Sequence, residues 1–517
     1  MNEAAQKTRQ DGQGNRVPHG IPVKQNLLLI SFVCVAEPFS SVILLPFIYF
    51  MVKDFGYEES EIGSHAGIIT SAFFVVQMFS TPMWCFISDR LGRKPCLIFG
   101  LFGTAVSMTL FGLSESLPWA ITTRAVCGLL NGNLAIARTM VGELAAATGI
   151  EKGRAFSLFG FCVGIGWMLG PFIGGSLANP SENLNFHGPG RLFDQYPWLL
   201  PCLFSAIYNL VVGAACISLL TETVNLTVSP AINTPLPEQI EHGETQPLLS
   251  GTTRSSPSAS RRDPNDTPTQ SETEVVSMNS RKIQFLTLLS SMFYFIHIIS
   301  FDELYALFAA SSMSDGIGLS FRSTDIAKSL SVAGPAMIGA LLLFPALHRR
   351  FSSVPLYASS SALFVVLYPA FSLAPLVGKS VAGLETMWTC LIILIILRYG
   401  AMVIGLASLQ VLVNDIVKPR ERAFMNGLAQ SVGSLARAIG PSLGGFTWSW
   451  SLKSGLGPPL DFHATFLLLS VLSLAQIVTV ARFLPQEEID KAMKIWEREE
   501  YEHVRKQASD QERSNAH

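Results

Sequence analysis

Twelve long apolar runs constrain the fold of this chain most strongly. About 20 consecutive apolar residues are needed for an α-helix to cross a bilayer. Runs of that kind lie at residues 27–50, 65–87, 95–114, 118–146, 154–178, 199–220, 283–310, 325–347, 354–374, 386–415, 423–447 and 463–484. Charged residues make up only 14% of the chain, against about 25% in soluble proteins. The sequence therefore predicts an all-α membrane protein with twelve transmembrane helices, numbered as spans 1 to 12.

Basic residues are concentrated in the short loops that follow spans 2, 4, 8 and 10. These residues are Arg90, Arg93, Lys94, Lys152, Arg154, Arg349, Arg350, Lys418, Arg420 and Arg422. The loops on the other side carry fewer, and an excess of lysine and arginine marks the cytoplasmic side. Both chain termini are therefore predicted to be cytoplasmic.

The composition divides the chain into five segments. Residues 222–282 are rich in proline, serine, threonine and charge, and such a segment cannot bury enough apolar surface to fold. The predicted segments are a disordered cytoplasmic N-terminus at 1–26, a six-helix bundle at 27–221, a disordered cytoplasmic linker at 222–282, a second six-helix bundle at 283–485 and a cytoplasmic tail at 486–517.

The two predicted bundles repeat one pattern. Span 5 ends in Gly-Pro-Phe-Ile-Gly-Gly from Gly170 to Gly175, and span 11 contains Gly-Pro-Ser-Leu-Gly-Gly from Gly440 to Gly445. An arginine occurs upstream at a similar offset in each half, as Arg124 in span 4 and Arg398 in span 10. Parallel six-helix repeats with a substrate site at their interface are a transporter architecture.

The loop between spans 2 and 3 reads Trp-Cys-Phe-Ile-Ser-Asp-Arg-Leu-Gly-Arg-Lys-Pro. It resembles the loop signature of the major facilitator superfamily, which implies a conformational gate made by Asp89, Arg90, Gly92, Arg93 and Lys94. The resemblance implies that the acidic residue helps to hold the cytoplasmic side closed. We expect Asp89 to meet the positive N-terminal end of span 11 when the two halves touch on that side.

Small residues in span 5 resemble the antiporter signature of drug/proton exchangers in this superfamily. The matching residues are Gly166, Gly170, Pro171, Gly174 and Gly175. Close helix packing, which small residues permit in lipid, is the alternative interpretation. Ile-Thr-Thr-Arg-Ala-Val-Cys-Gly in span 4 and Ser-Phe-Asp-Glu-Leu-Tyr-Ala-Leu-Phe-Ala in span 7 resemble the zinc-induced-facilitator-like group of plants and fungi. That group implies proton-coupled transport but no particular substrate.

Ionisable residues within a membrane are costly and usually functional. The candidates for a proton-coupling or substrate cavity are Glu37, Arg124, Asn131, Asn133, Arg398, Arg437, His297 and Asp302, with Gln77, Gln410 and Glu303 as further polar residues of the spans. Glu37 and Arg124 differ in predicted depth by about 6 Å, so we expect them to pair. The alternatives are a static ion pair for these two residues, and structural hydrogen bonds or solvation for the others.

These observations predict a proton-coupled antiporter that exports a small organic molecule by alternating access, across the plasma membrane or into a vacuole. Its expected partners are the substrate, protons and the lipid bilayer, and we expect a monomer without cofactor, resident metal or nucleic acid. No nucleophile–base pair or phosphate-binding loop is apparent, so an enzyme is not expected. The alternatives are a non-transporting nutrient sensor on the same scaffold, or a carrier of a metal chelate or inorganic cation.

The linker contains an acidic-dileucine sequence, formed by Glu244, Leu248 and Leu249, of the kind that vesicle-coat adaptors bind. Replacing both leucines by alanine is expected to move the protein from an internal membrane to the cell surface. Microscopy of the tagged double variant beside the unaltered protein measures this. An unchanged location would contradict a sorting role for the motif.

Overall fold

The computed structural model describes residues 23–148, 152–223, 270–314, 316–379, 383–418, 421–483, 487 and 489. The N-terminal half contains α1 (Val23–Val42), α2 (Ile48–Asp54), α3 (Glu59–Leu91), α4 (Arg93–Gly112), α5 (Leu117–Leu130), α6 (Asn133–Thr148), α7 (Lys152–Ser176), α8 (Pro180–Asn183), α9 (Leu192–Gln195) and α10 (Leu199–Leu219). The C-terminal half contains α11 (Gln270–Ala310), α12 (Ser323–Ser331), α13 (Ala333–Arg350), α14 (Ser353–Ser372), α15 (Ala374–Lys379), α16 (Gly383–Asp415), α17 (Arg422–Lys453) and α18 (His463–Phe483).

Each predicted span coincides with one helix or with two consecutive helices. Within the described ranges, nine helical stretches are long and apolar enough to cross a bilayer. The other three spans are interrupted or polar: span 4 is split into α5 and α6, span 5 has its apolar part at Phe161–Ser176, and span 11 is the polar helix α17. The predicted all-α membrane fold is confirmed.

Large apolar side chains cover the outside of the bundle, while many serines, threonines and charged groups are buried inside it. Phe79, Leu342 and Val366 are among the most exposed apolar residues. Exposed apolar surface on this scale is a liability in water, but lipid tails solvate it. The distribution fits an integral multi-pass membrane protein.

Helix α11 begins well before the predicted span 7. It starts at Gln270, so residues 270–282 are helical, although the composition predicted disorder up to 282. The composition describes the linker as a whole, and it does not locate the residue at which the neighbouring helix begins. The rest of the linker from residue 224 to 269, with Glu244, Leu248 and Leu249, lies outside the described residues.

The two halves join at one end of the bundle. We call the end where α3 and α10 finish the linker end, and the opposite end the distal end. In the distal half, α3 packs against α17, and α7 packs against α12. The contacts include an ion pair between Lys453 Nζ and Glu61 Oε1 at 2.9 Å, and a hydrogen bond from Ser64 N to Ser449 Oγ at 2.8 Å.

Around the first part of α17, at the linker end, the two halves pack less closely than at the distal end. Its residues Asn426, Gly427, Leu428, Gln430 and Ser431 are exposed, and a hydrogen bond from Arg138 Nη1 to Gln430 Oε1 at 3.2 Å joins the halves there. The structure is therefore a conformation that is closed at the distal end.

Candidate functional site

Glu37 of α1 lies half-buried near the centre of the bundle. Gln77 Nε2 donates to its Oε1 at 2.7 Å, and the backbone N–H of Leu134 donates to its Oε2 at 3.0 Å. Both donors belong to the N-terminal half. The carboxylate is thus held firmly by one half of the molecule.

The Leu134 donor exists because span 4 is broken. Asn131 is extended, with φ −108° and ψ 104°, and its Oδ1 accepts a hydrogen bond from Asn133 N at 3.3 Å. The first N–H groups of α6 have no helical partner, and the positive end of a helix favours an anion. The sequence analysis did not predict this contact, although Asn-Gly-Asn at 131–133 is a signal for a helix break.

Arg437 of α17 and Arg138 of α6 supply positive charge to Glu37. Arg437 Nη2 donates to Ser434 Oγ at 3.0 Å, while its buried Nε has no hydrogen-bond partner. Because Arg437 belongs to the C-terminal half, its interaction with Glu37 crosses the interface between the halves. Arg437 was predicted as a cavity residue, and it lines the cavity between the halves that is described below.

The expected pair between Glu37 and Arg124 is wrong for this conformation. Arg124 is fully buried in the N-terminal half, 4.7 Å from the Phe73 ring centre and 5.7 Å from that of Phe111. Its Nη1 is 4.0 Å from Met108 Sδ, and its Nε and Nη2 have no hydrogen-bond partner. Depth fixes only the position along the membrane normal, and the contacts of the Arg124 side chain with Phe73, Phe111 and Met108 are not given by depth.

Arg398 is the repeat equivalent of Arg124 and has a similar aromatic setting. Its guanidinium carbon lies 4.6 Å from the Phe301 ring centre and 4.3 Å from that of Tyr399. Unlike Arg124, it has a carboxylate partner, because Nη1 is 2.8 Å from Asp302 Oδ1. Tyr399 donates to the same oxygen at 3.0 Å. Arg398 and Asp302, both predicted site residues, thus form one buried ion pair.

The other predicted polar residues are buried in packing positions. His297 lies between Tyr368 Oη at 2.7 Å and Gln476 Oε1 at 3.1 Å. Asn131 and Asn133 are buried at the helix break, where Asn133 packs against Gly100. The two asparagines therefore lie at the start of α6, and neither lines the cavity between the halves that is described next.

A small cavity lies between the halves on the distal side of Glu37. Its volume is about 30 Å³, room for about one or two water molecules. Its lining comes from α1, α3, α7, α11 and α17 and includes Ser41, Thr70, Phe74, Trp167, Asp302, Glu303 and Arg437. The cavity therefore joins both halves and contains one arginine and two carboxylates.

The antiporter-motif glycines allow α7 to contact two partners. A Cβ at Gly166, Gly170 or Gly174 would overlap α1, while a Cβ at Gly175 would overlap the backbone of Ser323 in α12. Pro171 is buried in the same helix. The first three glycines thus pack the N-terminal half, and Gly175 joins it to the other half.

The second glycine motif repeats this geometry. A Cβ at Gly440 or Gly444 would overlap α11, and a Cβ at Gly445 would overlap the backbone of Gly63 in α3. In both halves the last glycine of the motif therefore faces the opposite half. The internal repeat recognised in the sequence corresponds to two equivalent contacts at the distal end.

The predicted gate loop is built around Gly92, whose φ of 104° favours glycine. Arg93 binds Asp89 at 2.5 Å and Glu143 at 3.1 Å, and Asp89 is 61% exposed. Arg90 lies over the Phe86 ring, and Lys94 Nζ donates to Ile217 O. This loop faces the linker end.

Glu222 completes the gate loop and was missed by the sequence analysis. Its carboxylate accepts the backbone N–H groups of Arg93 at 2.9 Å and Lys94 at 3.0 Å. It therefore caps the N-terminus of α4, as an acidic side chain is expected to do. Composition had assigned position 222 to a disordered linker.

The Major Facilitator Superfamily model matches residues 30–387 and 376–508. The chain belongs to the major facilitator superfamily. It is 27% identical to a major facilitator superfamily multidrug transporter of Aspergillus fumigatus, over 84% of this chain and 80% of that protein. It is 28% identical to the protein ZINC INDUCED FACILITATOR-LIKE 1 of Arabidopsis thaliana, over 92% of this chain and 94% of that protein.

The structure of a D-xylose–proton symporter superposes on the chain with a TM-score of 0.65 and 14% identity, covering 90% of this chain and 98% of that one. At this identity the likeness shows the fold alone. The relatives confirm the predicted similarity to the zinc-induced-facilitator-like group and to multidrug transporters. The chain is therefore a multi-pass membrane transporter of the superfamily.

Replacing Gly175 by valine is expected to weaken the distal closure. Overpacking a tight contact costs about 1–3 kcal/mol, which changes a two-state ratio by roughly 5- to 150-fold. Cysteine labelling at the distal end of α12 should therefore accelerate. Gly164→Val is the matched control, since a Cβ at Gly164 of the same helix meets no atom, and equal labelling of both variants would contradict this role.

Proposed function

We propose that the chain is a proton-coupled antiporter that moves a small organic molecule out of the cytosol, either to the exterior or into a vacuole. The observation that carries this proposal is the central carboxylate of Glu37. It is bound by donors of one half and lies within the electrostatic range of Arg437 of the other half. The relatives named for multidrug transport support the substrate class.

The cross-interface charge suggests how protonation follows the conformation. A nearby cation favours an ionised carboxylate, whereas desolvation favours the protonated form. With the distal end closed, Arg437 acts on Glu37 and favours proton release toward the linker end. When the halves rock apart distally, Arg437 moves with the C-terminal half, and proton uptake becomes more favourable.

The orientation gives this cycle a direction. The basic loops at the linker end follow the positive-inside rule, so we assign that end and both termini to the cytosol. Protons then enter from the distal side and leave into the cytosol, while substrate moves outward. In this scheme the five predicted segments are the two six-helix bundles and a cytosolic N-terminus, linker and tail.

Glu37→Gln is expected to abolish accumulation of substrate against its gradient while downhill exchange survives. The amide oxygen of glutamine can accept the Leu134 hydrogen bond, and its NH2 group can donate to Gln77 Oε1 once the Gln77 amide turns over. The fold should therefore be retained, but the side chain no longer takes up and releases a proton. Uptake into inside-out vesicles, with and without an imposed pH gradient, measures the difference for a panel of organic solutes.

Glu385→Gln is the control for this experiment, because Glu385 is an exposed carboxylate of α16. It should leave uptake unchanged. If the Glu37 variant still concentrates substrate, Glu37 is not the coupling residue.

Asp89→Asn is expected to favour the distal-closed conformation and to slow turnover. Asp89 is 61% exposed in the present conformation, and the buried Arg93 keeps Glu143 as its carboxylate partner when Asp89 loses its charge, so expression should be spared. In the opposite conformation its charge is expected to meet the N-terminal end of α17. Cysteine accessibility at the linker end reports the shift, and unchanged labelling would refute the gate role.

A further inference from the structure

Two consecutive carboxylates of α11, Asp302 and Glu303, lie at the cavity between the halves. Glu303 is 1% exposed, and neither of its buried carboxylate oxygens has a hydrogen-bond partner. The second oxygen of Asp302, Oδ2, also lacks one. Three acceptor oxygens of two cavity-lining residues therefore accept no hydrogen bond, beside two cavity-lining donors, Thr70 Oγ1 and Arg437 Nε, that make none.

Within the described residues, no donor makes a hydrogen bond to the Glu303 carboxylate. Arg398 and Tyr399 both bind Asp302 at Oδ1. Thr70 faces the Glu303 carboxylate from α3, but outside hydrogen-bond geometry. Arg124 acts on Glu303 only through its charge, because its guanidinium lies in the Phe73 and Phe111 pocket.

An unpaired buried carboxylate is costly, since burial removes its water without replacing the hydrogen bonds. A fold can retain such a group where a ligand supplies the missing donors. The unpartnered acceptor oxygens of Glu303 and Asp302 outnumber the two unpartnered donors of the lining, so a ligand that donates hydrogen bonds satisfies more of these groups than one that accepts them. A protonated amine does so with several N–H groups and neutralises the charge at the same time.

The other side chains that line the cavity indicate what kind of molecule carries the ammonium group. Phe74 and Trp167 provide aromatic walls from α3 and α7. Aromatic rings accommodate apolar groups and also attract cations. An amine with an aromatic or apolar body fits both parts of the lining.

We propose that Glu303, assisted by the free oxygen of Asp302, binds the ammonium group of an amine substrate when the halves separate distally and the cavity of about 30 Å³ widens. The apolar body of the substrate then lies against Phe74 and Trp167. This inference rests on the proposed transport function and names its substrate class. It assigns Glu303 to substrate recognition, whereas Glu37 couples the proton.

The first experiment uses the unaltered protein and three probes that share one ring: 2-phenylethylamine, 2-phenylethanol and phenylacetate. Binding is measured in detergent solution from the thermal shift of tryptophan fluorescence, since a ligand of the folded state raises the unfolding temperature. We expect the dissociation constant of the amine to be at least about tenfold lower than those of the alcohol and the carboxylate. No preference for the amine would overturn the proposal.

The second experiment compares variants with the same probes. Glu303→Gln should weaken amine binding at least about tenfold and leave the alcohol unaffected, while Glu303→Asp should retain part of the preference. Glu385→Gln, which alters an exposed carboxylate, should bind like the unaltered protein. Amine binding by Glu303→Gln that equals the unaltered protein would refute the assignment. If Glu303→Gln does not fold, the preference for the amine is tested with the probe series on the unaltered protein and on Glu303→Asp.

The experiments distinguish failure of the ammonium site from failure of the proposed proton-coupled transport. Gradient-driven uptake of neutral or anionic solutes without amine preference would overturn the ammonium site and leave proton-coupled transport standing. Selective amine binding with no uptake driven by any pH gradient would overturn proton coupling and support the site.

Discussion

Two close backbone contacts determine the arrangement of the other elements. Gly175 lies against Ser323, and Gly445 lies against Gly63. Lipid provides no hydrophobic driving force between helices, so close packing of small residues must hold them together. Because these contacts bring α17 against α3 and α7 against α12, they place Arg437 near Glu37 and close the cavity above it.

The two halves repeat their glycine contacts but differ in how they neutralise charge. Arg398 has Asp302 within its own half, whereas Arg124 has aromatic rings and feels the charge of Glu303 from the other half. A cation–π contact contributes about 0.5–2 kcal/mol, less than the cost of burying an unpaired charge. The electrostatic energy of Arg124 therefore depends on how the two halves are positioned, whereas Arg398 has its partner within its own half.

The sequence predicts the helices well because lipid requires apolar runs of one length, and it predicts Glu37 because intramembrane charge is costly. It does not predict the partners of Glu37. Leu134 contributes a backbone N–H that exists only at a helix break, and Arg437 is brought near by packing between halves. Glu222 was missed for a similar reason, since composition describes a segment and not the cap that one of its residues makes.

The proposed proton and amine sites are separate but close enough to interact. Ile43 and Ser300 contact equivalent glycines, Gly174 and Gly444, so Glu303 lies about 14 Å further toward the distal end than Glu37 at about 1.5 Å per residue. Two positive charges at that distance repel by about 1.2 kcal/mol at an effective dielectric constant of about 20, or roughly eightfold in affinity. A bound ammonium group therefore opposes protonation of Glu37, and the linkage is reciprocal. Arg437 lines the cavity and acts on Glu37, so an amine at Glu303 also repels it toward Glu37. In the proposed antiport, proton and substrate would thus weaken each other's binding through electrostatics, without sharing a carboxylate.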